Sequence, residues 1–178
     1  MNIRASCLAL TIATLPLFLG CATSTPEQRL AEQTVQAQAA AQQVLIYQIQ
    51  TKFLANISPE GAYTRVRFVN TGNRPLSVIT FEVVPYYQGE PIMWNVSHPV
   101  LFGAKGDFEP GKRYAVISAR PVWSGPWGRV DCVHLVGLVL QSGDGQIERV
   151  NRGQITNYLN SEIASQNCSN PSPLGPHN

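Results

Sequence analysis

Charge is scarce in this 178-residue sequence: 13% of the residues are Asp, Glu, Lys or Arg, about half the usual share for a soluble domain. Thirteen Lys and Arg against eleven Asp and Glu leave a net charge of +2. That is too small for the footprint of a nucleic-acid-binding domain or for an acidic tail. Histidine is rarer still, with three. No Cys-x-x-Cys pair and no close His pair occurs, so metal-ligand spacing is missing. Also missing are a G-x-S-x-G elbow, an H-E-x-x-H helix, a Walker loop and a dinucleotide fingerprint. The carboxylates are scattered, with no pair spaced for acid/base work. No internal repeat is present. The expectation is a chain that is not an enzyme, with no catalytic residues, no metal site, no cofactor and no nucleic-acid partner.

An apolar run, Cys7 to Leu19, follows the positive charge of Arg4. It is too short for a comfortable membrane span, which needs about 20 residues. It ends in Leu17-Phe18-Leu19-Gly20-Cys21, which resembles a bacterial lipoprotein signal peptide and departs from it at Phe18, where Leu is usual. The resemblance implies that residues 1–20 are removed and that Cys21 takes diacylglycerol and an amide-linked acyl chain such as palmitate. Three chains exceed the two signals that stable anchoring requires. Ala22 stands where inner-membrane lipoproteins carry Asp, which implies the outer membrane, with the chain facing the periplasm. The other reading is an ordinary secretory signal, with Cys21 a plain thiol.

Two cysteines remain, Cys132 in an apolar strand pattern and Cys168 after the last helix pattern. In an oxidising compartment an even pair reads as a disulfide. Closing the loop between them would stabilise by about 4 kcal/mol in the chain-entropy model. The alternative is two free thiols, with Cys132 a small buried hydrophobe.

Fourteen Gly and thirteen Pro favour a turn-rich, all-β body. Before it, residues 21–43 read as a tether. Thr25-Pro26-Glu27-Gln28 is a helix start with a capping box, and eleven of residues 26–43 are Ala or Gln. The apolar stripe there is thin, so the segment is either a spacer helix or a flexible, partly helical tether. At Val44 the period changes to alternation. Leu45, Tyr47, Ile49, Thr51 and Phe53 share one side of a first strand. Ala62 to Phe68 and Leu76 to Tyr87 follow, then a short strand over Ile92–Val96 and another over Val100–Phe102. Phe102 to Asp107 reads as a hairpin loop. Arg113–Val122 is a strand, and Val130–Gln141 is a central one with Cys132, His134, Val136, Leu138 and Leu140 on one face. His134 there reads as a core histidine. Ser142-Gly143-Asp144-Gly145 turns the chain into a closing strand. Ile155, Leu159 and Ile163 give a C-terminal helix one apolar edge over residues 152–168, and residues 169–178 read as a disordered tail. The expected fold is an immunoglobulin-like antiparallel β-sandwich of seven or eight strands over residues 44–151, with an N-terminal Ala/Gln-rich helix and a short C-terminal one.

The stretch from Arg65 to Ile92 carries Phe68, Asn70, Gly72, Phe81, Tyr86, Tyr87 and Gly89. It resembles the FxLYD-type and related Ig-like domains of bacterial lipoproteins, with Pro85-Tyr86-Tyr87-Gln88 in place of the Leu-Tyr-Asp ending. The resemblance spans roughly Tyr47 to Val150. It implies an accessory or interaction domain and brings no catalytic residues. Candidate partner-binding residues are Trp94, Trp123, Trp127, Tyr86, Tyr87, Arg120 and Arg129, because Trp, Tyr and Arg anchor interfaces. Any of the Trp can instead plug the end of the core. The expected role is docking of a periplasmic or outer-membrane protein as an accessory of an envelope assembly. The alternative is a glycan- or peptidoglycan-binding module.

Overall fold

A computed structural model describes residues 25–39, 42–55, 59–124 and 130–164. Two antiparallel sheets hold most of them. The first has three strands in the order β1–β2–β6: β1 is Val44–Leu54, β2 is Gly61–Asn70 and β6 is Arg113–Ile117. The second is built on β3 (Leu76–Tyr87). Its long partner β7 (Cys132–Ser142) lies on one side, with β8 (Ile147–Val150) beyond it. On the other side lie β4 (Glu90–Pro91) and β5 (Val100–Phe108). One core joins the sheets, with Val44, Ile46, Val66 and Phe68 from the first meeting Ile79, Phe81, Leu138 and Leu140 from the second. Phe68 sits at its centre, with its ring 6.0 Å from Phe81, 5.5 Å from Phe108 and 5.7 Å from Tyr114.

Register shifts decide which residues face that core, in β3 between Leu76 and Val78 as well as in β1 and β7. In β1 the register shifts between Ile46 and Gln48, so Tyr47 is the extra residue. Val44 and Ile46 therefore point inward before it, and Ile49, Thr51 and Phe53 share that side after it, opposite Val66, Thr64 and Ala62. Leu45, expected on the side of Ile49, lies on the opposite one. In β7 Leu135 pairs with Val83 and Gly137 with Glu82, leaving Val136 extra. The inward residues become Val133 and Leu135, then Leu138 and Leu140. His134 is consequently not on the core face. An extra residue in a period-two element exchanges faces, and nothing in the composition of either strand announces it.

Three further expectations are corrected. Phe102 to Asp107 is not a hairpin loop but the body of β5, paired with β3 from Leu76 to Val83. Gly103 is there for a close approach: a Cβ would run into the carbonyl oxygen of Ile79. Ile92–Val96 is not a strand. Pro91 has no N–H to extend the ladder, and Met93–Ser97 coils into a short helix, α2. The C-terminal segment is not one helix. A 3-10 turn, Ile155–Tyr158, is separated from α3 (Ser161–Ala164) by an extended Leu159 that bridges Ile46 in parallel.

Helix α1 spans Pro26–Ala39. Thr25 and Gln28 cap it reciprocally: the Thr25 N–H donates to Gln28 Oε1 at 2.9 Å, and the Gln28 N–H donates to Thr25 Oγ1 at 3.3 Å. The helix is not detached from the sheets. Leu30 packs on Leu45 and Val69, on the outer side of the three-stranded sheet. Gln33 Nε2 donates to Ser161 Oγ at 2.8 Å, and Arg29 lies 3.8 Å from Glu162. No described helix is long and apolar enough to cross a membrane.

Candidate functional site

Strands β2 and β3 run in opposite directions across the core, joined by a turn over residues 71–75. The start of β2 and the end of β3 therefore meet at the same end of the sheets. Every described member of the candidate set lies there. Tyr86 and Tyr87 end β3, and Trp94 is in α2 just beyond β4. Arg120 and Trp123 lie on the segment that leaves β6 and bridges Ala62. Trp127 and Arg129 lie outside the described residues, as do Cys21 and Cys168.

This end is held by a tight hairpin. Tyr87 pairs with Glu90 across Gln88 and Gly89, whose φ values are 51° and 82°. Two successive positive φ values make the two-residue turn whose twist matches its strands. Asp131 secures it: its Oδ2 accepts the Gln88 N–H at 2.6 Å, and its own N–H donates to the Tyr86 carbonyl at 2.9 Å.

The aromatics divide by exposure. Trp94 is 71% exposed and neighbouring Met93 74%. The Trp94 ring stacks on His98 at 4.8 Å, with an angle of 18° between planes, while Asn95 in the same helix turns inward and is buried. Tyr87 is exposed, and Tyr86 is half-buried with its ring 4.4 Å from that of His134. Burial pushes the His134 pKa below its ordinary value, and the positive charge of Arg152 pushes it further down. Trp123 is packed against the core, and its carbonyl accepts the Ala62 N–H at 2.9 Å. Arg120 is exposed.

Cys132 begins β7 opposite Tyr86 and is disulfide-bonded, to a cysteine outside the described residues. Among the described residues no three His, Cys, Asp or Glu side chains gather to hold a metal ion. A shallow cavity of about 220 Å³ lies away from the aromatic end, between α1 and β1. Its walls include Pro26, Leu30, Tyr47 and Gln48.

The three-stranded sheet bears Lys52, Arg65, Arg67 and Arg113 and no carboxylate. The alternation of Arg65 and Arg67 with buried Val66 and Phe68 was legible. That the same bias holds on both neighbouring strands emerges only once β6 is known to pair with β2.

No family model matches this chain, and no curated protein matches it. A solved structure, the X-ray structure of Northeast Structural Genomics Consortium target SoR45, is similar at 11% identity. The match covers 61% of this chain and 81% of that one, with a TM-score of 0.28, a likeness too slight to bear on fold or function.

Proposed function

We propose that this chain is an outer-membrane lipoprotein, anchored through lipid on Cys21, that presents an Ig-like β-sandwich to the periplasm and docks a protein partner there. On this reading it is a non-catalytic accessory of an envelope assembly. The observation that carries the docking role is the exposed Met93–Trp94 pair of α2, braced by the Trp94–His98 stack. Two adjacent large apolar side chains left in water, one of them a Trp, are groups of the kind that anchor an interface. Tyr87 and Arg120, exposed at the same end of the sheets, are of residue types enriched at such sites. The anchor is proposed from the Leu17–Cys21 signal, and the Ig-like assignment from the Arg65–Ile92 resemblance together with the two antiparallel sheets on one core.

The test is a photo-crosslinking amino acid placed at position 93 of the membrane-anchored protein, with a control at the exposed Arg149. A discrete protein adduct from position 93, absent at 149 and weakened by Trp94→Ala, is the expected result. No adduct from position 93, with retention on peptidoglycan that Trp94→Ala abolishes, would replace this reading with a glycan-binding one.

A further inference from the structure

The outer side of the three-stranded sheet carries charge of one sign. Arg67 lies between Gln48 and Ala115 in its cross-strand row, and Arg65 lies between Gln50 and Ile117. Lys52 opposes Tyr63, and Arg113 opposes Val69 with its guanidinium 6.0 Å over the Tyr47 ring. None of these four cations belongs to an ion pair among the described residues, whereas Arg29, Arg74 and Lys112 each meet a carboxylate. Lys52, Arg65 and Arg113 are exposed and Arg67 is half-buried. Ile117, 52% exposed, stands among them. In a chain with a net charge of only +2, this gathering is local, and like charges on one face repel unless a counter-charge meets them.

We infer that this face rests on an anionic lipid surface, its Lys and Arg side chains meeting headgroup phosphates. The geometry rests on the proposed anchor at Cys21. Cys21 is five positions before Pro26, so the chain between them reaches at most about 17 Å. Pro26 in turn lines one cavity with Tyr47 and Gln48 of this same sheet. Helix α1 packs on the rows of Leu45 and Val69, while Lys52, Arg65 and Ile117 stand exposed. Two carboxylates that line this cavity, Glu27 and Glu162, belong to the helices α1 and α3 and not to the sheet. A bilayer reached through so short a leash meets the open cations first, whereas an acidic soluble partner would gain nothing from the leash.

The test uses chain 21–178 with Cys21→Ser, so that no lipid contributes. It is sedimented with vesicles of phosphatidylcholine alone, and with vesicles in which part is replaced by phosphatidylglycerol. The expected result is binding to the anionic vesicles only, lost as salt is raised. The double variant Lys52→Gln, Arg65→Gln changes exposed positions only and should weaken binding roughly twenty-five-fold, about five-fold per cation. Equal binding to both vesicle types, or no loss in the double variant, overturns the inference. Tighter binding to polyglutamate than to anionic vesicles overturns it in favour of an acidic protein. The anchor is judged separately, by whether Cys21→Ser releases the full chain from the membrane fraction of cells. Vesicle binding by the unlipidated chain stands or falls whatever that result.

Discussion

Asn70 closes the turn between β2 and β3 with every polar group of its side chain. Its Nδ2 donates to the carbonyls of Phe108 at 2.7 Å and Arg74 at 2.9 Å, and its Oδ1 accepts the Gly72 N–H at 3.0 Å. The side chain is fully buried, so removing it strands three backbone partners. Asn70→Ala should cost about 3 kcal/mol, read as a lower urea midpoint at unchanged slope; a change below a few tenths would show that water replaces the amide. His134 sets a pH dependence. Its pKa is held below the ordinary 6.5 in the folded chain, so the unfolded chain binds the proton more readily. Stability should therefore be intact above the ordinary histidine pKa and fall as the pH drops below it, and His134→Gln should flatten that slope. That a turn begins at Asn70 was legible, since the Asn-Thr-Gly-Asn cluster announces one. The place of His134 was not, because it depends on one extra residue at Val136 that alternation alone cannot reveal.

Among the elements, β5 and α1 carry the clearest consequences. Gly103 lets β5 lie against β3 where any Cβ would strike the backbone of Ile79. Gly103→Ala should destabilise by about 2 kcal/mol and raise amide exchange along Val100–Phe108. Exchange confined to the chain ends would show that the strand yields without detaching. Leu30 is the apolar contact of α1 with Leu45 and Val69. Leu30→Asp should cost about 1 to 2 kcal/mol and release the helix, measured as loss of helical circular dichroism before the main transition. An unchanged melting curve would mark the helix as a pure spacer. The long strands were legible from their period, as were both ends of β3, because turn residues punctuate them. The short strand expected after Pro91 was not recoverable. A few apolar residues fit a helical turn as well as a strand, and tertiary context chose the turn. The Gly-rich stretch before Phe108 misled for the opposite reason, since its glycine serves close packing rather than reversal.

For the whole molecule, the C-terminal segment bridges the two sheets. The Asn160 N–H donates to the Ile46 carbonyl at 2.9 Å in the three-stranded sheet, while the Tyr158 hydroxyl donates to Glu148 at 2.5 Å in the other. Cys132, at the start of β7 in that second sheet, is disulfide-bonded. Reduction should lower stability by about 2 to 4 kcal/mol, seen as a drop in Tm with dithiothreitol. A non-reducing digest should join Cys132 to Cys168. A Cys132–Cys21 peptide would sink both the staple and the lipid anchor. Of the candidate surface, the sequence named the residue types, and the end of the sheets where the described ones converge followed once strand order was known. It could not separate exposed Trp94 from packed Trp123, since both follow apolar segments and only the sheet edge tells them apart.

The bulges at Tyr47 and Val136 also govern how this chain can tolerate length change. Excising either residue would leave a strand that alternates without interruption, a more regular strand by any sequence measure. It would also turn one end of that strand inside out, sending His134 toward the core or Leu45 in place of Ile46. A single-residue deletion scan should therefore be harsher at these two places than in the turn over residues 143–145, and tolerance should return when a second residue is inserted within the same strand to restore the phase.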